Sequence, residues 1–187
     1  MNFEFKDKII QFPSQVRLFN LFADGNLVNV GLLSNIDNVF RRGLLSAMEL
    51  RRDRGDFGSE SGTDDDYVPF WRFNKESKGE NCLDLIHHIE RESDDFDEYW
   101  PVGYLVRNQR VVKLDYGEHY YGVERHVPPI DIDAVVIPMI PLRIFDGRHL
   151  DNSENKSTLK KVRQSMAIYR GSLNKRIVVC DHFGRVI

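Results

Sequence analysis

The chain has 187 residues, with 26 Lys and Arg against 29 Asp and Glu, for a formal net charge of −3. This length suits one domain, residues 1–187, and buries enough surface to fold without a disulfide or metal. The near balance of charge excludes a cationic coat over the whole surface and leaves room only for a local basic groove.

In chain order, the N-terminal MNFEFKDKII carries acidic residues and no long apolar run, so neither a signal peptide nor a membrane span is expected there. NLVNVGLL (26–33) has the β-branched content of a strand. SNIDNVFRRGLLS (34–46) predicts a short helix with Ser34 as N-cap, Asp37 in its first turn, Ile36, Val39 and Phe40 on one face, and Gly43 as its stop. RRDRGDFGSESGTDDD (51–66) reads as a long polar surface loop. YVPFWRF (67–73) predicts an aromatic strand, and NCLDLIHHIER (81–91) an amphipathic helix followed by the acidic run ERESDDFDE (90–98). VGYLVRN and RVVKLDY (102–108 and 110–116) are joined tightly enough for a hairpin. IDAVVIPMIPL (132–142) reads as a buried strand bounded by prolines. The polar segment DGRHLDNSENKST (146–158) separates it from a helix, STLKKVRQSMAIYR (157–170), and a closing strand, KRIVVCDHF (175–183). Short strands with a few helices, and no repeated strand–helix–strand unit, make the fold class α+β.

Familiar catalytic signatures are missing. Cys82 and Cys180 fit no metal-ligand spacing, which is the usage of a reduced, cytoplasmic chain. His87 and His88 are adjacent and would point about 100° apart on a helix. Glu118, His119, Glu124 and His126 are close in sequence, but the end of a solvated hairpin accounts for them better than a metal does, and no metal site is expected. There is no HExxH, CxxC or GxSxG, and the glycines Gly55 and Gly58 lack the helix that a phosphate loop needs.

What remains is an order of weaker features. NIDNVFRRGLLS is followed by the arginine segment RRDRGDF, the strand DYVPFWRF, the apolar CLDLIHHI and the late GVERHVPPIDIDAVV. This order, from about Asn26 to Phe183, resembles the DarT-type toxins, which transfer ADP-ribose from NAD to thymidine in single-stranded DNA. The resemblance implies an ADP-ribosyltransferase-like fold: split mixed and antiparallel sheets flanked by short helices. It also implies NAD as co-substrate, single-stranded DNA or RNA as partner, and a protein antitoxin.

Cleaving a nicotinamide–ribose bond develops positive charge on the ribose, and a carboxylate beside the ring stabilises it. Glu124 is the candidate for that role, with Asp131 and Asp133 as alternative carboxylates. Arg54, with Arg51 in reserve, is the candidate for holding phosphate oxygens as a planar fork. Asn35 belongs to the asparagine helix, and Tyr67, Phe70 or Trp71 would wall the nicotinamide. Each has a plainer reading: a solvated glutamate, a salt-bridged arginine loop, an aromatic core. Lys156 to Arg185 carries eight basic residues and the single acid Asp181. Facing one way, they would track phosphates, with Tyr169 and Phe183 to stack bases; the plainer reading is a helix with an ordinary solvated basic face. The alternative function is a non-enzymatic phage or viral interaction protein that blocks a host partner through the acidic loops 64–66 and 90–98.

Overall fold

Apolar side chains at alternate positions give each central strand two working faces, and the sheet is built by covering both. The computed structural model describes residues 20, 26–54, 63–72, 101–107, 109–114, 120–137, 152–181 and 184–187. The elements are β1 (Leu27–Leu32), α1 (Ile36–Arg42), β2 (Leu44–Leu45), α2 (Ala47–Arg54), β3 (Tyr67–Arg72), β4 (Pro101–Val106), β5 (Val112–Lys113), β6 (Tyr120–Glu124), β7 (His126–Val127), β8 (Ile132–Ile137), α3 (Asn152–Ile168) and β9 (Val178–Asp181). Single 3-10 turns precede α1, β3 and β8. Seven strands form one sheet in the order β5-β6-β3-β1-β4-β8-β9, and β2 and β7 form a second, two-stranded sheet. All pairs are antiparallel except β8 with β9. This is the α+β class, with a mixed sheet, a small antiparallel sheet and few helices.

One face of the large sheet carries Leu27, Val68, Phe70, Tyr104, Val106, Val123 and Val135, and Ile36 and Phe40 of α1 and Val162 of α3 close over it. The other face carries Val28, Leu105, Ala134, Val136 and Cys180. Each fully buried Leu, Ile, Val or Phe contributes about 1.5–3 kcal/mol. β4 is buried on both faces: Val102, Tyr104, Leu105 and Val106 are all 0% exposed. That is why it lies inside the sheet, between β1 and β8.

The structure corrects several expectations. β4 and β5 do not pair with each other; β5 pairs with β6. A strand apolar on both faces needs a neighbour on each edge, and β5, with both residues exposed, has nothing to offer it. The helix expected from Ser34 starts one residue later, because Leu33–Asn35 is a 3-10 turn and Asn35 takes the N-cap position without a side-chain bond. The segment 51–66 is not all loop: Arg51, Arg52 and Arg54 end α2, and Thr63–Asp66 is a 3-10 turn. The backbone N–H of Glu49 donates to Ser46 Oγ at 3.3 Å, and Ser46 with Glu49 has the spacing of a capping box. α3 begins at Asn152, inside the polar segment expected to separate it from the body. β9 covers only Val178–Asp181, since Lys175 and Arg176 lie in a turn. The expected helix 81–91 and the acidic run 90–98 lie outside the described residues, as do Cys82, Glu118, His119 and Phe183.

Candidate active site

Helix α1 ends at Gly43, whose N–H donates to Val39 O at 2.7 Å and whose φ of 90° no side-chain-bearing residue adopts readily. A Cβ there would stand 2.1 Å from Val127 O, so the close approach of the α1–β2 turn to β7 depends on this glycine. The turn is held from the other side by His126, whose Nε2 lies 2.8 Å from Arg42 O. Leu44 and Leu45 then pair with Val127 and His126.

Between β6 and β7 the chain kinks at Arg125, at φ 59°. Two hydrogen bonds hold this left-handed residue in place. Its N–H donates to Asp66 O at 2.7 Å, and its carbonyl accepts from the Ser46 N–H at 2.8 Å. Three segments far apart in sequence thus meet at one residue: the α1–β2–α2 stretch, the 3-10 turn before β3, and the Glu124 strand end. Glu124 pairs with Tyr67 across the β3–β6 ladder. Its carboxylate is 3.7 Å from Arg125 Nε, with the two side chains 73% and 64% exposed.

A cleft of about 350 Å³ opens between α1, β2 and α2 on one side and the sheet on the other. Asn35, Asn38 and Arg42 line it from α1, Leu45 and Leu50 give it apolar surface, and Tyr104 reaches it from β4. Gly31 also lines it; a Cβ there would come within 3.1 Å of the Tyr104 ring. Tyr104 packs edge-on to Phe40, with ring centroids 6.4 Å apart. Its hydroxyl is buried and finds no hydrogen-bond partner among the described residues. Burial pushes its pKa up, and the charge of Asp37 adds to this, so it stays protonated as a donor.

Of the residues expected from sequence, Asn35 lines the cleft. Arg51 is engaged elsewhere, in an ion pair with Asp65 at 2.7 Å. Arg54 is the last residue of α2. The three aromatics do not form one wall, because neighbours along a strand point to opposite faces. Tyr67 and Trp71 share the face of Glu124, where Trp71 packs edge-on to Tyr120 at 4.6 Å, whereas Phe70 is 1% exposed in the core on the cleft side. The alternative carboxylates are taken up: Asp131 accepts from Gln109 Nε2 at 3.2 Å, and Asp133 accepts from Asn174 Nδ2 at 3.1 Å. Burial raises the Asp133 pKa; Arg107 lowers it and Asp131 raises it further. Asn38, Arg42 and Tyr104 were not singled out from sequence. Asn35, Asn38 and Arg42 follow the spacing of one helical face away from Ile36 and Phe40, a signal that was there to read.

The fold and site together describe an α+β protein in which a two-stranded sheet closes one side of a cleft on a seven-stranded sheet. No protein-family model matches the chain, and no curated protein matches it significantly in sequence. Among solved structures it is similar to DarT of Thermus sp. 2.9. The likeness to that protein in complex with NAD+ has a TM-score of 0.49 at 10% identity and covers 86% of this chain and 96% of that one. The complex with carba-NAD+ gives 0.48 at 11%, covering 84% and 95%. The complex with ADP-ribosylated single-stranded DNA gives 0.47 at 10%, covering 89% and 97%.

Proposed function

We propose that this chain is a cytoplasmic NAD-dependent ADP-ribosyltransferase that modifies nucleic acid, a toxin held in check by a protein antitoxin. The observation that carries the reading is the bonding at Arg125. It draws together the end of the asparagine-helix segment NIDNVFRRGLLS, the start of the strand segment DYVPFWRF and the Glu124 strand end, which are segments whose order resembles the DarT-type toxins.

The cleft suits the substrate. At about 350 Å³ it lies within the range of small-molecule sites and holds roughly one half of a dinucleotide. Asn35 and Asn38 supply amide donors and acceptors, Arg42 supplies positive charge for a phosphate, and the Tyr104 hydroxyl, without a partner among the described residues, supplies a donor to a ligand oxygen. In the reaction the bond from the anomeric carbon to the nicotinamide nitrogen breaks and its electron pair leaves with the ring. A nucleophilic atom of the acceptor base forms the new bond and gives up its proton to solvent. Glu124 stands at the strand end beside the Arg125 kink, on the sheet face opposite Val68 and Tyr104, and stabilises the positive charge that grows on the ribose of a ligand reaching past the cleft to that end. Its carboxylate is largely exposed, and its ion partner at 3.7 Å is the exposed Arg125.

Thermal unfolding with millimolar NAD, and mass spectrometry of a nucleic-acid acceptor, test this. NAD should raise the midpoint, because a ligand bound only to the native state stabilises it. Glu124→Ala should lower transfer by about a hundredfold or more. Its melting should stay unchanged within roughly 0.5 kcal/mol, as for exposed side chains generally. Undiminished transfer in the variant removes Glu124 from the mechanism. No midpoint shift together with no nicotinamide release overturns the proposal.

A further inference from the structure

The structure assigns a second nucleic-acid contact surface to the outer face of α3 and the turn that follows it, with single-stranded nucleic acid as its occupant. This inference supplies the route of the acceptor and rests on the proposed function for its purpose, but its test reads binding alone.

From Lys156 to Arg176 there are seven Lys and Arg and no Asp or Glu, in a chain whose net charge is −3. The buried residues of α3, Thr158, Val162 and Ser165, define its inner side. Lys156, Lys160, Arg163 and Ala167 follow at spacings of four, three and four residues and fall within an arc of about 60° on the opposite side. All four are exposed, and Arg170 extends the line into the turn. None of the seven basic side chains makes an ion pair with a described residue. A stripe of cations roughly 20 Å long, with no ion pair to a described residue, is the form of a site that neutralises successive phosphates.

The stripe ends in a pocket of about 450 Å³. Met166, Leu173 and Ile177 make its apolar lining, and Arg170, Asn174 and Lys175 its polar one. That combination fits an unstacked base with its phosphate, which a single strand presents and a paired duplex does not. The far side of the turn leads back to the cleft. Ser172 Oγ donates to Phe40 O at 2.9 Å, setting the turn against the end of α1, where Arg41 and the cleft residue Arg42 follow.

The test is fluorescence anisotropy of a short labelled oligothymidylate without NAD, over a range of salt. The native chain should bind, and Lys160→Ala/Arg163→Ala/Arg170→Ala should weaken binding tenfold or more near 0.1 M salt. Three lost phosphate contacts should also flatten the slope of log affinity against log salt by about 2. An abasic strand of equal length should bind several-fold more weakly than the oligothymidylate. The variant's melting midpoint and its response to NAD should match the native chain's, which separates this surface from the catalytic reading. Unchanged affinity and slope in the variant, no binding by the native chain at low salt, or equal binding of a blunt duplex would each overturn the inference. Equal binding of the abasic strand would remove the base from the pocket.

Discussion

At the scale of single residues, two glycines with opposite surroundings measure what the α1–β2 turn requires. Gly43 holds a φ of 90°, and a Cβ would collide with the Val127 backbone at 2.1 Å; Gly171 has open space around the same atom. Gly43→Ala should therefore cost about 2 kcal/mol or more, from positive φ and displaced backbone together. Gly171→Ala should be neutral or stabilising by about 0.4–1 kcal/mol, because it restricts the unfolded chain without straining the folded one. Urea midpoints of both variants check this, and equal effects at the two positions would contradict it. Arg125 also holds a positive φ, at 59°, without glycine's freedom. Its backbone bonds to Asp66 and Ser46 offset the strain and keep Glu124 at the junction.

At the scale of elements, the C-terminal residues clamp the edge strand β9. Asp181, with its side chain 2% exposed, accepts from Arg185 Nε at 2.5 Å and from the Arg185 backbone N–H at 2.9 Å. The N–H of Asp181 donates to Arg185 O, and that of Ile187 to Val179 O. Removing the guanidinium takes a charge-assisted bond from a buried carboxylate that keeps the backbone N–H, a larger loss than the pair itself is worth. Arg185→Ala should destabilise by about 2 kcal/mol, discounted from a fully buried pair because the arginine is 45% exposed. Hydrogen exchange should show β8 and β9 losing protection first. Uniform loss across the sheet would point to a global effect instead.

At the scale of the whole molecule, Asp133 links stability to pH. It stands on β8, accepts from Asn174 in the turn after α3, and lies 3.7 Å from Arg107 beyond β4. Burial, opposed by Arg107 and assisted by Asp131, holds its folded pKa above the ordinary value of 3.8. The folded state therefore binds this proton more tightly than the unfolded chain does. The stabilisation is present in acid and lost as pH rises through the folded pKa. Asp133→Asn should gain on the native chain as pH rises above about 4 and through the raised folded pKa, as read from urea midpoints. A difference that stays constant with pH would refute the assignment. Charge is also unevenly distributed: seven cations without acids lie between Lys156 and Arg176, while the whole chain is net acidic.

Much of the fold was legible in short stretches of sequence, where backbone preference and side-chain periodicity decide. LVNVGL, YVPFWR and IDAVVI form strands, IDNVFRR forms a helix that Gly43 stops, and Asn35 reaches the cleft. The start of α2 was legible too, in the Ser46–Glu49 spacing, but the charge of the arginine segment masked it. Only the tertiary structure decided that β4 joins β1 and β8, since burial on both faces selects partners that loop length does not specify. Only it separated Phe70 from Tyr67 and Trp71 by sheet face relative to the cleft. The two-residue strands β2 and β7 carry no local signal, because their pairing depends on the turn at Gly43, the kink at Arg125 and the His126–Arg42 contact between distant segments. The cleft therefore belongs to the assembled chain: its lining comes from segments that meet only when the sheet has formed.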